Sequence, residues 1–428
     1  MENVKLNKFK IILTFVSMGI LTSGMATFVM QAVNYFHISY TSAGALESYQ
    51  NITTIIVSFF MFSILIKTGF KRSIKRNFLC FMIICAILPF LHSIWGIRIY
   101  LVAVGISMLT VKIVAYSSVG LVTKTKKEHA SFINLMEGIY TFFSLAGMWI
   151  FAYFLKHYPQ HWMMVFWVFG AICLILLLFW TFTPFDESKI EEEESKPIKD
   201  QFKEILKIMG PVFIMFLFLF ASYEALEQGV GSWLANFDHQ VLGIPAYLAV
   251  QLASMLTLGI AFGRIIGAFI VKRIKWYKMF LFNFTASLVI LYFVMTHIVH
   301  NIGAGSTSIF NSPIIAFGIP IIGVLIGPTY PTIVSALLTS IPKAKHAAMI
   351  SMVIICGAVF DSASSRITGI LFGHIGGVDA FTIAITVPLI IVLLLITPYY
   401  FIITKKQKII RLTYKGVKNE SAKRSWYE

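Results

Sequence analysis

Residues 162–184 read WMMVFWVFGAICLILLLFWTFTP, and the chain then turns to FDESKIEEEESKPIKDQFKEILK over 185–207. The first stretch carries no charge. A hydrocarbon core of roughly 30 Å needs about 20 helical residues to cross it, so this stretch has the length and character of a transmembrane helix. The second stretch is of the opposite kind. Glu191 to Glu194 form an acidic run, and Lys196-Pro197 is followed by Ile198, Phe202, Ile205 and Leu206, the pattern of a solvated linker leading into an amphipathic surface helix.

Working outward, 162–184 closes a set of apolar segments that begins with 11–34, 43–66, 77–94, 99–122 and 132–155. After the linker come 208–236, 246–271, 279–299, 313–340, 347–373 and 379–403. Twelve segments in two sets of six predict an all-α membrane protein of two six-helix halves. The halves would be 1–184 and 208–403, joined by a cytoplasmic linker at 185–207 and followed by a basic cytoplasmic tail at 404–428. Only helices and closed barrels satisfy their backbone groups in lipid, and the alternation over about ten residues that marks barrel strands is missing.

Composition excludes a soluble globule: mean hydropathy is +0.81 and 13% of residues are charged, against about 25% in soluble domains. The formal charge of +16 raises nucleic acid as a partner, but its distribution argues against it. Lys5, Lys8 and Lys10 precede the first segment; Lys67, Lys71, Arg72, Lys75 and Arg76 follow the second; Lys124, Lys126 and Lys127 follow the fourth. Lys272, Arg273, Lys275 and Lys278, then Lys343 and Lys345, then Lys405, Lys406, Lys408 and Arg411 continue the pattern, while the opposite connectors hold little beyond Arg98 and Lys156. This positive-inside bias places both termini in the cytoplasm of a bacterial inner membrane, with lipid headgroups as the partners of the basic loops. The basic leader resembles a signal peptide, but the segment behind it is long enough to span and is expected to be retained.

Other chemistries find no support. Cys80, Cys85, Cys173 and Cys356 are scattered without a C-x-x-C pair, and the ten His are isolated, so neither disulfide framework nor metal site is expected. The sequons at Asn51 and Asn283 fall inside predicted helices and are discarded. There is no G-x-S-x-G, Walker loop or H-E-x-x-H, so the chain is expected to be no enzyme, to need no cofactor and to draw its energy from an ion gradient.

Local motifs sharpen the fold. Gly263-Arg264-Ile-Ile-Gly267-Ala-Phe-Ile-Val-Lys272-Arg273 resembles the loop motif that follows the second helix of each half in the major facilitator superfamily, and Lys67-Thr-Gly69-Phe-Lys71-Arg72-Ser-Ile-Lys75-Arg76 keeps the basic residues of its counterpart without the usual Asp. Within that superfamily, Tyr330-Pro331-Thr332-Ile333, the G-R-x-x-G run and Asn134-Leu135 resemble elements of the fucose permease family, the fucose–proton symporters. The resemblance implies twelve helices, a solute site at the half interface and alternating access. It also implies a coupling acid in the first helix and a Glu in the fourth. At the matching positions stand Ala26 and Lys112, so fucose transport by that mechanism is in doubt.

Charges inside the spans are functional candidates by default, since each costs about 2.5–3.5 kcal/mol on insertion scales. Lys112 lies near the middle of the fourth helix, where it either meets solute or coupling acid or makes a structural ion pair. Glu137, with Thr141 and Ser144 on its face, is its candidate partner, or else a charge at the helix end reaching water. In the seventh helix Glu224 and Glu227 share a face beside Gln228 and the weak point Gly229-Val-Gly231, a setting for a helix that bends as a proton binds. Asp361 and Arg366 stand in a Ser-rich stretch of the eleventh helix, spaced so that each needs a partner elsewhere. Glu47, with Gln50, Asn51 and Thr54, reads as a charge near the outer end of the second helix. Gly263, Arg264, Gly267, Tyr330 and Pro331 are candidate gating residues, and Pro320, Pro328 and Pro331 predict a kinked tenth helix.

These features predict a monomeric secondary transporter that moves a small polar organic solute with protons. Family resemblance favours a sugar. Lys112 favours an anionic solute such as a carboxylate or a carboxylate siderophore, imported or exported. A transporter-like receptor is a more distant reading.

Overall fold

The structure, a computed structural model, describes residues 2–119, 122–123, 126–185, 209–271, 273–341 and 346–424. Twelve long helices account for nearly all of them. In the first half, α1 is Glu2–Thr22 resumed as Met25–Asn34, α2 is Leu46–Thr68 and α3 is Phe70–Leu91. Next come α4, Ile94–Ser118, α5, Lys126–His157, and α6, Val165–Phe182. In the second half, α7 is Pro211–Glu224 continued through Ala225–Gly229 into Val230–Gln240. Ala246–Ile270 is α8, Trp276–Thr296 is α9, and α10 is Gly318–Ile326 followed by Thr329–Leu338. The last two are α11, His346–Ile375, and α12, Gly377–Arg424. Eleven spans among the described residues have both the length and the apolarity to cross a membrane, and α2 completes the set.

Each helix covers one of the apolar segments, with its ends moved by a few residues. The expected amphipathic helix of the linker lies outside the described residues. Beyond the last span, α12 does not stop near residue 403 but continues as helix to Arg424. The kink expected in α10 falls at Gly327-Pro328, where the ring removes a backbone donor and the helix divides.

Packing follows the small residues. In the second half α8 lies on α10, and a Cβ at Gly263 would strike the Val324 carbonyl while one at Gly327 would strike that of Ile260. These are backbone-to-backbone approaches of the kind small-xxx-small spacing allows. In the first half α1 lies on α5, with Gly19 against the Tyr140 carbonyl, and rings of Phe28, Phe151, Tyr100 and Phe166 meet at 4.8–6.2 Å. Apolar side chains such as Phe182, Phe282 and Leu394 stand exposed on the outside, the surface a lipid-facing bundle presents. Where α6 ends, Lys10 Nζ donates to the Pro184 carbonyl and Lys71 Nζ to that of Thr183, both at 2.8 Å.

The two halves meet at the end of the bundle opposite the chain termini, here called the distal end. Tyr40 Oη donates to Gln240 Oε1 at 2.8 Å, and Gln240 Nε2 donates to Asn34 Oδ1 at 2.9 Å. Gly44 and Gly369 bring the one-turn helix Tyr40–Gly44 against the α11 backbone, and Trp149 Nε1 on α5 donates to Ser254 Oγ on α8 at 3.1 Å. The distal end is therefore sealed by direct contact.

Because the α8–α10 crossing has no side chain to yield, Gly263→Val is expected to overpack it by about 1–3 kcal/mol. Thermal unfolding in detergent should show a lowered midpoint, and an unchanged one would mean the crossing is looser than described.

Candidate functional site

Behind the distal seal lies a cavity of about 330 Å³ between the halves. The first half contributes Thr22, Ser23 and Ala26 from α1 and Tyr140, Thr141 and Ser144 from α5; the second contributes Glu227, Gln228 and Ser232 from α7 and Thr257 and Arg264 from α8. The wall is thus rich in hydroxyls, and its lining positions follow helical faces, as with Thr22 and Ala26, Thr141 and Ser144, and Gln228 and Ser232. Thr22 Oγ1 and Tyr140 Oη lie 2.7 Å apart, joining α1 to α5 on one side of it.

The break in α7 sets the chemistry. Ala225–Gly229 forms a π turn, a wider turn often found at functional positions. Glu224 stands just before it and Glu227 within it, near enough to feel each other's charge but with different partners. Glu227 faces the cavity and receives Arg264 Nη2 on both oxygens, at 2.8 and 3.1 Å. The same Nη2 donates to Tyr223 Oη at 2.9 Å, and the Tyr223 ring stacks on Tyr330 with centroids 5.8 Å apart. Arg264, expected as a gating residue, is therefore also part of the cavity wall. Gly263 and Gly267 beside it serve the α8–α10 crossing, and Pro331 lies on a second opening shared with Arg264.

Glu224 turns the other way. It is buried and lies beside Asp361 of α11. Glu47 of α2 lies close to the same Asp361 and accepts from Ser232 Oγ at 3.2 Å. At 5% exposure it is enclosed between the halves and is not the outer-end charge its position suggested.

The remaining candidates fall elsewhere. Lys112 is half-buried on α4 and engaged within the bundle, but it does not line the cavity. The backbone of Glu137 belongs to α5, and its side chain lies outside the described residues. Arg366 is exposed on α11. Gln228 lines the cavity. Glu47, Tyr223 and the Thr22-Ser23 pair were not among the expected site residues. Glu47 had a visible signal, the polar i,i+4 partner Asn51, itself buried; Thr22-Ser23 had only its place before Gly24.

The profile of the Major Facilitator Superfamily matches residues 11–365. The chain belongs to the major facilitator superfamily. It is a multi-pass membrane protein. Among curated proteins it is similar to the "Protein TsgA homolog" of Buchnera aphidicola subsp. Acyrthosiphon pisum, 24% identical over 266 residues, which cover 60% of this chain and 64% of the relative. The chain thus spans a little less than two thirds of the length of the curated relatives it matches. Among solved structures it shares its fold with the nucleoside transporter NupG, with a TM-score of 0.66, 15% identity, and 94% of this chain and 98% of that one covered. It also shares it with the E. coli fucose:proton symporter FucP, with a TM-score of 0.57, 12% identity, and 93% and 98% covered.

Removing one member of the Glu227–Arg264 pair leaves the other uncompensated, at a cost of about 1.5–3 kcal/mol for a charge-assisted hydrogen bond. Arg264→Ala should lower the unfolding midpoint, and adding Glu227→Gln to it should recover part of the loss. A double variant no more stable than Arg264→Ala would show that the pair is not what holds α7 to α8.

Proposed function

We propose that this transporter moves a small polar organic solute across a bacterial inner membrane by alternating access, with protons as the coupling ion. Both termini and the linker are cytoplasmic in this reading, so the sealed distal end faces outward and the cavity belongs to an inward-facing state. The chain divides as 1–184, 185–207, 208–403 and 404–428 and works as a monomer.

The observation that carries the reading is the cavity wall: hydroxyls of Thr22, Ser23, Thr141, Ser144, Ser232 and Thr257 and the amide of Gln228 surround one ion pair at the junction of the halves. A solute with many hydroxyls pairs its donors and acceptors there, and the volume suits a small molecule. The resemblance to fucose permeases and the folds shared with FucP and NupG support a sugar-like or nucleoside-like solute. An anionic solute is the second reading, and its support moves from Lys112 to Arg264. The buried Nε of Arg264 lacks a hydrogen-bond partner, and a carboxylate could compete with Glu227 for the guanidinium.

A thermal-shift screen of the purified transporter separates the two. A ligand at 100 times its dissociation constant stabilises by about 2.7 kcal/mol, so sugars or nucleosides should raise the midpoint more than hydroxy acids or carboxylate siderophores. The reverse order would establish the second reading. If neither class shifts the midpoint or moves in proteoliposomes, the solute class is wrong.

Proton coupling rests on the Glu224–Asp361 contact. Glu224→Gln mimics the protonated acid, so counterflow of the solute found by the screen should persist while flux driven by a pH gradient is lost. Normal gradient-driven flux would remove Glu224 from coupling and leave Glu227 and Glu137 as the next candidates.

A further inference from the structure

The proton-coupled reading needs only the second half, because Glu224 and Asp361 both belong to it. The structure places a third carboxyl beside them from the first half. Glu47 is buried between α2, α7 and α11, close to Asp361, and takes the Ser232 hydroxyl at 3.2 Å. Acids gathered in one place do not by themselves make a site. Here a second observation concerns the groups around them. Ser365 is fully buried and turned toward the Glu47 carboxyl, yet its hydroxyl completes no hydrogen bond, and Asp361 Oδ1 is buried without a partner as well. Buried polar atoms are almost always paired. Ser365 brings a donor of its own, but Asp361 Oδ1 is an acceptor that lacks one, and among adjoining carboxyls that lack is met by a bound proton.

The cations packed nearby do not make good the deficit. Arg264 is committed to Glu227 and Tyr223, Arg98 lies over the rings of Trp95 and Tyr49, Lys112 is engaged on α4, and Arg366 is exposed on α11. Glu227 faces the cavity, and Asp238 is buried nearly two turns beyond Ser232 on α7.

We infer that Glu47, Asp361 and Glu224 form a proton-binding site that spans the two halves, and that its occupancy holds the distal end closed. Bound protons convert carboxylates to carboxylic acids, which supply the missing donors. Glu47 can then lie against Asp361, Ser232 and Ser365 while Tyr40, Gln240 and Asn34 complete the seal above it. Losing those protons leaves like charges buried opposite each other across the half interface, which drives the halves apart at that end. The closed state holds more protons than the open one, so acid favours closure and rising pH favours opening. A proton fits better than a metal ion because no three carboxyl, thiol or imidazole groups among the described residues converge as metal ligands would. The inference deepens the proton-coupled reading by adding a site in the first half, and its test involves no solute.

Spin labels at His37→Cys and Ala304→Cys, one distal loop from each half, report the seal in a background with the four native cysteines replaced by serine. Pulsed-resonance distances would be measured in lipid nanodiscs from about pH 5 to pH 9. The wild-type background should shift from short to long distances as pH rises, with the open-to-closed ratio changing by up to about tenfold per pH unit, the limit for one proton per opening. Glu47→Gln should stay short throughout. Should that variant fail to fold, Asp361→Asn carries the same expectation. A wild-type pH profile in the variants, a distance in the wild-type background that ignores pH, or one that follows sodium at fixed pH overturns the proton site. The carrier reading would survive any of these, since it stands or falls on flux.

Discussion

A charge within the span of a membrane helix is tolerated only when something beside it answers it, and in this transporter the contact between Glu227 and Arg264 does so for the cavity. Its position depends on the π turn in α7, which aims Glu227 inward. Beside Arg264, Gly263 lets α8 lie directly on the α10 backbone. Tyr223 takes the same guanidinium nitrogen and stacks on Tyr330, so the seventh, eighth and tenth helices share one electrostatic anchor. The hydroxyl-rich wall opposite, from α1 and α5, carries no comparable charge among the described side chains. The cavity is therefore electrically one-sided: the second half holds the ions and the first half offers hydrogen bonds.

The twelve spans were legible because a membrane helix announces itself by length and apolarity, which need no tertiary context. The broken tenth helix was legible for a similar reason, since proline acts on its own backbone. What the sequence could not show was which way each polar residue faces once a helix departs from regular geometry. Glu224 and Glu227 share a face in an α-helix; with the π turn beginning between them, Glu224 lies beside Asp361 while Glu227 takes Arg264. Glu47 misled for a different reason. Its place near the end of α2 suggests water, yet the short helix Tyr40–Gly44 folds over it and α11 closes from the side. Lys112 stood out by charge alone, and charge does not say whether a side chain meets a solute or another helix.

The same limit applies to solute identity. Fold neighbours at 12–15% identity establish how the helices are arranged, while selectivity resides in a few wall positions that such likeness does not carry over. Ala26 makes the point: it lines the cavity near the place where the resemblance to fucose permeases leads one to expect an acid. The buried carboxyls stand instead on α2 and α7.

The glycine crossing of α8 on α10 has a mechanical consequence. Side chains between two helices act as springs, because rotamers can absorb a small displacement before it reaches the next backbone. At Gly263 and Gly327 there is no such cushion, and main chain bears directly on main chain. A push on Arg264 is therefore delivered to α10 almost without loss, and from there to Tyr330 and the Gly327-Pro328 joint. The crossing behaves as a strut that ties the Arg264 side of the cavity to the broken tenth helix.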